Sequence, residues 1–487
     1  MSDIAPPPLP NIGRKIARNT LFVTLGQILL KIFGFLFGVF VVRQLGDEQY
    51  GRYSIVVAWV GLFSIFVELG VTQFVMREMA RSGARATALF WNLIGIRLML
   101  ALIGLVVIPL TSLVVGYESD ITLGVLLYVV TFVISAFHAP LDAVLTAREA
   151  FGWTTLLTIV GQITWLILGT IVMGLRPSFL WLLAVGLAAM LPQLILAIWV
   201  TRRHDLVEWP PRFQPAEWPR LMRAGFPFAV ISLALTIAFS IDTVMLSWFV
   251  SDAEVGWYNV AYGLVRSFVS LLTGFSVAMV PTLARVFVTD APVVGRWHAH
   301  STRLIAFLSL PLAVGGMLLA DPLIRFLYTP DIFPAARALA IIIWDIPLLM
   351  YAATCGNVTT IIGEERSAAR INTLNAIANI ALNALLIPWF GMLAAAAVTV
   401  ITDLLAVIQF DALLRRKLVL PSVSGALIKV IAACIGMSAA VLLTGEWHVV
   451  LRIGLGGAVY AVLILATGFI EPEEWGLLKR VLRVRKT

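Results

Sequence analysis

Charge is what this sequence has least of. Only 13% of its 487 residues are Asp, Glu, Lys or Arg, where a soluble domain carries about a quarter. With 60% of the residues hydrophobic and a mean hydropathy of +0.96, the apolar surface is too large to fold into one core. That excludes a water-soluble globular protein. Cysteine is nearly missing: Cys355 and Cys434 are the only two, both inside apolar runs, which excludes a disulfide framework or a thiolate metal site. Histidine numbers five. His138 and Asp142 have a spacing that would suit a metal, but no third ligand is near them in the chain. No metal or other cofactor is expected. No small-residue cleavage site follows the first apolar run, so that run is read as a retained span and not a leader.

What the sequence has in abundance is long apolar runs. About 20 such residues cross the hydrocarbon of a bilayer, and fourteen runs qualify, from 19–42 to 449–470. With the N-terminus in the cytoplasm, 25 of the 35 Lys and Arg fall in cytoplasmic segments, 5 on the opposite side and 5 within runs. This asymmetry sets both termini in the cytoplasm. It also accounts for the net charge of +8 without a nucleic-acid partner. The expected fold is all-α: a polytopic membrane protein of about 14 transmembrane helices.

The chain repeats itself. Asp252, Gly256 and Tyr258 in SDAEVGWYNVAYG echo Asp47, Gly51 and Tyr53 in LGDEQYGRYS at a constant offset of 205. The preceding apolar runs match as well. The reading is a six-helix N-lobe over 1–201, a cytoplasmic linker over 202–224 and a six-helix C-lobe over 225–414. Residues 415–487 add two further spans and a basic cytoplasmic tail. Trp209 and Trp218 in the linker suit a headgroup layer.

Polar residues inside the spans are few, and each needs a reason. In the first span Thr24, Gln27, Lys31, Gly34 and Gly38 fall on one helix face. Lys31 is about 18 Å into the span at 1.5 Å per residue, near the midplane, so it should face protein or water. Gly34 and Gly38 read as a small-xxx-small packing pair. Glu68 in the second span is either a proton or cation site or the partner of a nearby base. Arg97 lies within snorkelling reach of the inner surface. Asp242 falls off the Ser/Thr stripe of the seventh span and reads as a packing or coupling residue. Tyr262 and Arg266 share a face of the eighth span. Asp345 and Asp403 sit in the tenth and twelfth. Asn372, Asn375, Asn379 and Asn383 form one stripe of the eleventh, which must meet another helix or a watery cavity.

Three stretches carry a resemblance: LGDEQYGRYS, IDTVMLSWFVSDAEVGWYNVAYGL and NIALNALLIPWFGMLAAAAVT. They resemble the Wzx-type oligosaccharide flippases, in the polysaccharide transporter family of the multidrug/oligosaccharidyl-lipid/polysaccharide exporter superfamily. The resemblance implies two lobes around a central cavity. It implies translocation of a polyprenyl-(pyro)phosphate-linked oligosaccharide from the inner to the outer leaflet of a bacterial or archaeal cell membrane. The product would serve surface polysaccharide such as the O-antigen of lipopolysaccharide. Implied partners are the lipid-linked glycan, membrane lipids, and polysaccharide polymerase or glycosyltransferase machinery. Lys31-Ile32-Phe33-Gly34 is similar to a basic pattern of the related lipid II flippases. Their further basic cluster in that span is missing here, which argues against lipid II as cargo.

Lys31 and Arg266 would then meet a phosphate headgroup, the lysine as a point charge and the arginine as a fork. Gln27, Arg97, Tyr262, Asn375, Asn379 and Asn383 complete the candidate substrate contacts, and Glu68, Asp242 and Asp403 are the coupling candidates. A glycan polymerase or transferase would need a sizeable outer domain holding acids and bases. The longest outer segment, DPLIRFLYTPDIFPAAR, supplies none, so no enzyme is expected. The alternative is a cation-coupled multidrug exporter of the same superfamily. If an ion gradient drives transport, Glu68→Gln should slow it without lowering substrate binding in a vesicle assay. Unchanged gradient dependence would move the coupling to Asp242 or Asp403.

Overall fold

The computed structural model describes residues 12–81, 86–208, 211–272 and 291–469. The side chains of 12–29, 230–235, 238–239, 271–272 and 291 lie outside that description. Among the described residues the chain forms fifteen α-helices. They are α1 (Ile12–Glu68), α2 (Val71–Arg81), α3 (Ala86–Val115), α4 (Ser119–Ala147), α5 (Phe151–Leu175) and α6 (Phe179–Arg203). The second half holds α7 (Trp218–Phe249), α8 (Asp252–Leu272), α9 (Ala291–Leu318), α10 (Ala320–Leu327), α11 (Ala335–Ile342), α12 (Asp345–Ile361) and α13 (Glu365–Lys417). Two more, α14 (Ser424–Leu443) and α15 (Val449–Ala466), follow. Ten of these stretches are long and apolar enough to cross a membrane. Their outer faces leave large apolar side chains uncovered, such as Val106, Leu110, Ile195 and Trp199, as lipid contact requires. The protein is an all-α, multi-pass membrane protein.

Two pairs of expected spans are joined with no loop. In α1 a single residue, Gly46 (φ 72°, ψ −176°), separates the helical halves. In α13 the same role falls to Gly391 (φ 55°, ψ −134°). Glycine is needed there because a positive φ is strained for other residues. It also leaves room for a cap. The Asp47 backbone N–H, just past Gly46, donates to Asp331 Oδ2 at 3.1 Å. That of Met392, just past Gly391, donates to Glu254 Oε1 at 2.8 Å. A carboxylate at a helix N-terminus satisfies an orphan donor and meets the positive end of the helix dipole. The second expected span is also interrupted: Leu69 and Gly70 both have positive φ and divide α1 from α2.

The largest hydrophobic cluster crosses between the two halves of the chain. Ile55, Val56 and Val60 of α1 pack with Val255, Tyr258 and Val265 of α8 and with Leu339 and Ile342 of α11. At one end of this seam the repeat motif meets its own copy. A Cβ on Gly51 would stand 1.7 Å from the Asp252 carbonyl oxygen, and one on Gly256 would stand 2.2 Å from that of Asp47. Each glycine thus lies on the backbone of the other's helix start. Arg52, beside Gly51, reaches Asp252 of the other half at 3.0 Å and also Glu48, Glu118 and Asp120. Burial nonetheless pushes the Asp252 carboxyl up from its ordinary value, the nearby arginine acting against the shift. At the other end a Cβ on Gly70 would fall 2.4 Å from the Gly225 carbonyl oxygen. The halves therefore touch backbone to backbone at both ends of the seam.

The linker is bound and not draped. The Asn92 side-chain oxygen accepts from the Gln214 backbone at 2.7 Å and from the Trp218 indole at 3.1 Å. Trp218 opens α7 and packs on Gly95, where a Cβ would be 2.5 Å from its ring. Asn92 thus takes the Trp218 N–H; Trp209 lies outside the described residues. Helices α14 and α15 dock beside α9, with Tyr460 donating to the Phe307 carbonyl at 2.7 Å and Arg303 to that of Phe469 at 3.1 Å.

Overpacking a close contact costs about 1–3 kcal/mol, so Gly51→Ala or Gly256→Ala should lower the unfolding midpoint of the purified protein. Gly152→Ala, which meets nothing within 4 Å, should leave it unchanged or raise it. Equal midpoints for all three would mean the contact is slack.

Candidate functional site

A cavity of about 450 Å³ lies between α1 and α8. Lys31, Gly34 and Gly38 line it from α1, and Gly263, Ser267 and Ser270 from α8, with Tyr50, Gln162 and Tyr328 around them. Nothing lies within 4 Å of a Cβ added to Gly34, Gly38 or Gly263. The expected role of Gly34 and Gly38 as a packing pair is therefore corrected: they hold space open in place of bringing helices together. Lys31 Nζ crosses the cavity and donates to the Ser270 carbonyl oxygen. Arg266 stands one turn before Ser270 on α8 and is not among the residues that line this cavity. The Arg266 guanidinium lies 5.8 Å from the Tyr262 ring centroid, within cation–π range. Tyr262 itself is buried. Gln27 belongs to the part of α1 whose side chains are outside the description.

The Asn stripe and Asp242 form a second constellation inside the C-terminal half. Asp242 is 4% exposed and takes three hydrogen bonds: from Asn383 Nδ2 at 2.7 Å, Thr399 Oγ1 at 2.7 Å and Tyr258 at 2.8 Å. Asn383 also donates to Asn379 at 3.1 Å, and Asn379 to Thr402 at 3.4 Å. Asn375 binds the Ile371 carbonyl at 2.8 Å and Gln409 at 3.4 Å. These amides are spent between helices α7, α8 and the two halves of α13, not along the cavity between the halves. Asp345 of α12, fully buried, faces Asp403 of α13. Three acids thus gather in one half, within electrostatic reach of one another.

Arg97 has a different fate from the one expected. It does not snorkel: it is 1% exposed. Its guanidinium donates to Thr72 at 2.8 Å, Ser135 at 2.9 Å and Glu68 at 3.2 Å. Of the two readings of Glu68, the structure shows the partner of a base. Among the described residues no group of three or more His, Cys, Asp or Glu could hold a metal ion. Sequence reasoning missed Thr399 and Tyr258 as partners of Asp242, and Gln162 and Tyr328 as cavity walls. The repeat had marked Tyr258, but only as an echo of Tyr53.

The chain is thus a polytopic helical protein with a cavity, bearing Lys31, between its two halves. The sequence profile of the polysaccharide biosynthesis protein family matches residues 16–287, and that of the MatE family matches residues 227–385. The chain belongs to the polysaccharide biosynthesis protein family. It is 28% identical over 239 residues to the probable flippase AglR of Haloferax volcanii. That match covers 46% of this chain and spans only half the length, 50%, of the relative. The fold is similar to an inward closed conformation of the lipid II flippase MurJ, with a TM-score of 0.76 at 17% identity over 91% of this chain and 98% of that one. An inward-facing multidrug resistance MATE family transporter of the MOP superfamily gives 0.62 at 15% identity over 78% and 94%. At such identities the likeness is one of fold.

Asp242→Leu removes the acceptor shared by three donors, and a buried donor left unpaired costs about 1–3 kcal/mol. It should lower the unfolding midpoint clearly, with Asp242→Asn, which keeps one acceptor oxygen, falling between the two. A midpoint for Asp242→Leu equal to the parent's would show that the network carries no stability.

Proposed function

We propose that the protein is a flippase that carries a polyprenyl-(pyro)phosphate-linked oligosaccharide from the inner to the outer leaflet. The observation that carries this reading is Lys31 reaching across the inter-half cavity to the Ser270 carbonyl, one turn from Arg266. A phosphate headgroup entering the cavity would displace a neutral acceptor with a charged one. The Lys31–carbonyl bond already has an ionised donor, and a phosphate acceptor adds the Coulomb attraction of opposite charges, so the exchange favours the ligand. Arg266 then supplies the bidentate fork and Lys31 the point charge. The half-length likeness to a probable flippase supports the same class.

In this reading the ten apolar stretches amount to twelve spans, since α1 and α13 each fold back at a glycine, and α7 and α8 bring the number to fourteen. The halves act as two six-helix lobes, with α14 and α15 beside them and both termini in the cytoplasm. The Gly51–Gly256 contact and the Arg52 clasp close the outer end, and the Gly70–Gly225 contact closes the inner one. Opening one while keeping the other gives alternating access around a fixed site. Asp242, Asp345 and Asp403 are the coupling groups of this scheme, because a proton or cation taken there would change the packing of α7 against α12 and α13. Glu68 is the weaker candidate, since Arg97 already holds it. Glycosyltransferases would supply the cargo and a polymerase would consume it at the other face.

Lys31→Ala should abolish surface glycan while the protein still reaches the membrane. Arg266→Ala should do the same, and Arg266→Lys should restore only part because the fork is lost. Normal surface glycan in Lys31→Ala cells, with the undecorated precursor not accumulating, would sink the proposal.

A further inference from the structure

A second cavity of about 430 Å³ lies wholly within the N-terminal half, between α1, α4, α5 and α6. It falls in the range of small-ligand pockets, roughly 300–1,000 Å³. Tyr53, Tyr128, Thr131, Ser135, Trp165 and Gln193 supply its polar and aromatic wall. No charged side chain lines it. Several of these groups have nothing to bond to. Among the described residues the Tyr53 and Tyr128 hydroxyls, the Trp165 indole N–H and the Gln193 amide make no hydrogen bond, while Thr131 donates to the Tyr128 carbonyl and Ser135 accepts from Arg97. These residues are half-buried, and their polar atoms open onto the cavity, where a guest can reach them. They gain most from a guest that brings hydroxyls of its own.

The backbone is cut to hold them. A Cβ on Gly161 would stand 2.8 Å from Gln193 Oε1, and one on Gly186 would stand 3.3 Å from the Trp165 ring. Trp165 is further braced edge-on by Phe37, at 5.6 Å between centroids and 78° between planes. A fixed indole, two phenols and an amide that both donates and accepts fit a pyranose, which has an apolar C–H face and a rim of hydroxyls. The pocket is also next door to the cationic cavity. Tyr50 lines that cavity and Tyr53 lines this one, and their rings stack at 6.0 Å. On α5, Gln162 faces the first and Gly161 the second.

We propose that this pocket is a sugar subsite: it takes one uncharged pyranose unit of the carried glycan while the phosphate sits against Lys31 and Arg266. The assignment rests on the flippase reading, and it divides recognition between two chemistries, charge in one cavity and hydroxyls in the other. It places glycan selectivity on α4, α5 and α6, helices that contribute no charge to the phosphate site.

The test uses the full chain in lipid nanodiscs, with binding read by saturation-transfer NMR. The probes are the methyl glycosides of glucose, galactose and N-acetylglucosamine, and, separately, farnesyl phosphate. At least one glycoside should receive saturation. Gln193→Leu, which removes the amide, and Gly161→Leu, which fills the space, should each weaken that sugar about fivefold or more, the loss of one net hydrogen bond. Farnesyl phosphate should be unaffected by either variant and lost in Lys31→Ala. Gln193→Asn, with unfolding midpoints for every variant, separates a lost contact from a lost fold. No saturation of any glycoside, or equal saturation in folded Gln193→Leu and Gly161→Leu, overturns the sugar subsite. Failure of farnesyl phosphate to bind the parent protein would instead overturn the flippase reading and leave the sugar result standing alone.

Discussion

The two halves of this molecule are registered by a reciprocal contact in which each gives up a side chain. Gly51 rests on the Asp252 backbone and Gly256 on that of Asp47. Because the contact is backbone to backbone, its distance is set by the chain and not by rotamers. Interfaces of this kind rely on close approach of small residues, since lipid offers no hydrophobic drive toward helix association. The core behind it, from Ile55 to Val265, can be well packed only if that distance is kept. The Arg52 clasp adds charge at the same end, but an arginine shared among four carboxylates is a softer constraint than two glycines.

How far all this was legible in the sequence depends on the kind of information each feature needs. The membrane class and most helices follow from run length, and the offset of 205 declared the two halves to be equivalent. Equivalence is not contact, however. Nothing in a repeat says that Gly51 meets the copy's Asp252 and not its own half. The wheel placed Asp242 off the Ser/Thr stripe correctly, yet its partners come from α8 and both halves of α13, which a single-helix projection cannot name. Gly34 and Gly38 show the reverse failure. Their spacing suits a packing pair, and only the open space of at least 4 Å beside them turns them into cavity floor. For Arg97 depth alone was ambiguous, because Glu68, Thr72 and Ser135 lie 25 to 38 residues away in sequence.

Polar side chains in the interior are sorted by environment. In the C-terminal half Asp242 has three donors and the Asn stripe bonds between helices, whereas both carboxylate oxygens of the buried Asp345 make no hydrogen bond. In the N-terminal half Arg97 and Glu68 are paired, while the neighbouring phenols and the Gln193 amide are not. Satisfied networks hold helices in register and resist change; unsatisfied ones are open to whatever can replace water.

The bond from Lys31 to the Ser270 carbonyl has one more implication. A bare ammonium in an empty cavity would pin a carrier, since any motion that thinned its hydration would be uphill. Here the protein supplies an acceptor for the ammonium from the opposite half. Under the proposed flippase reading, that bond would keep the lysine coordinated through the return stroke and would admit only a ligand that outcompetes a peptide carbonyl.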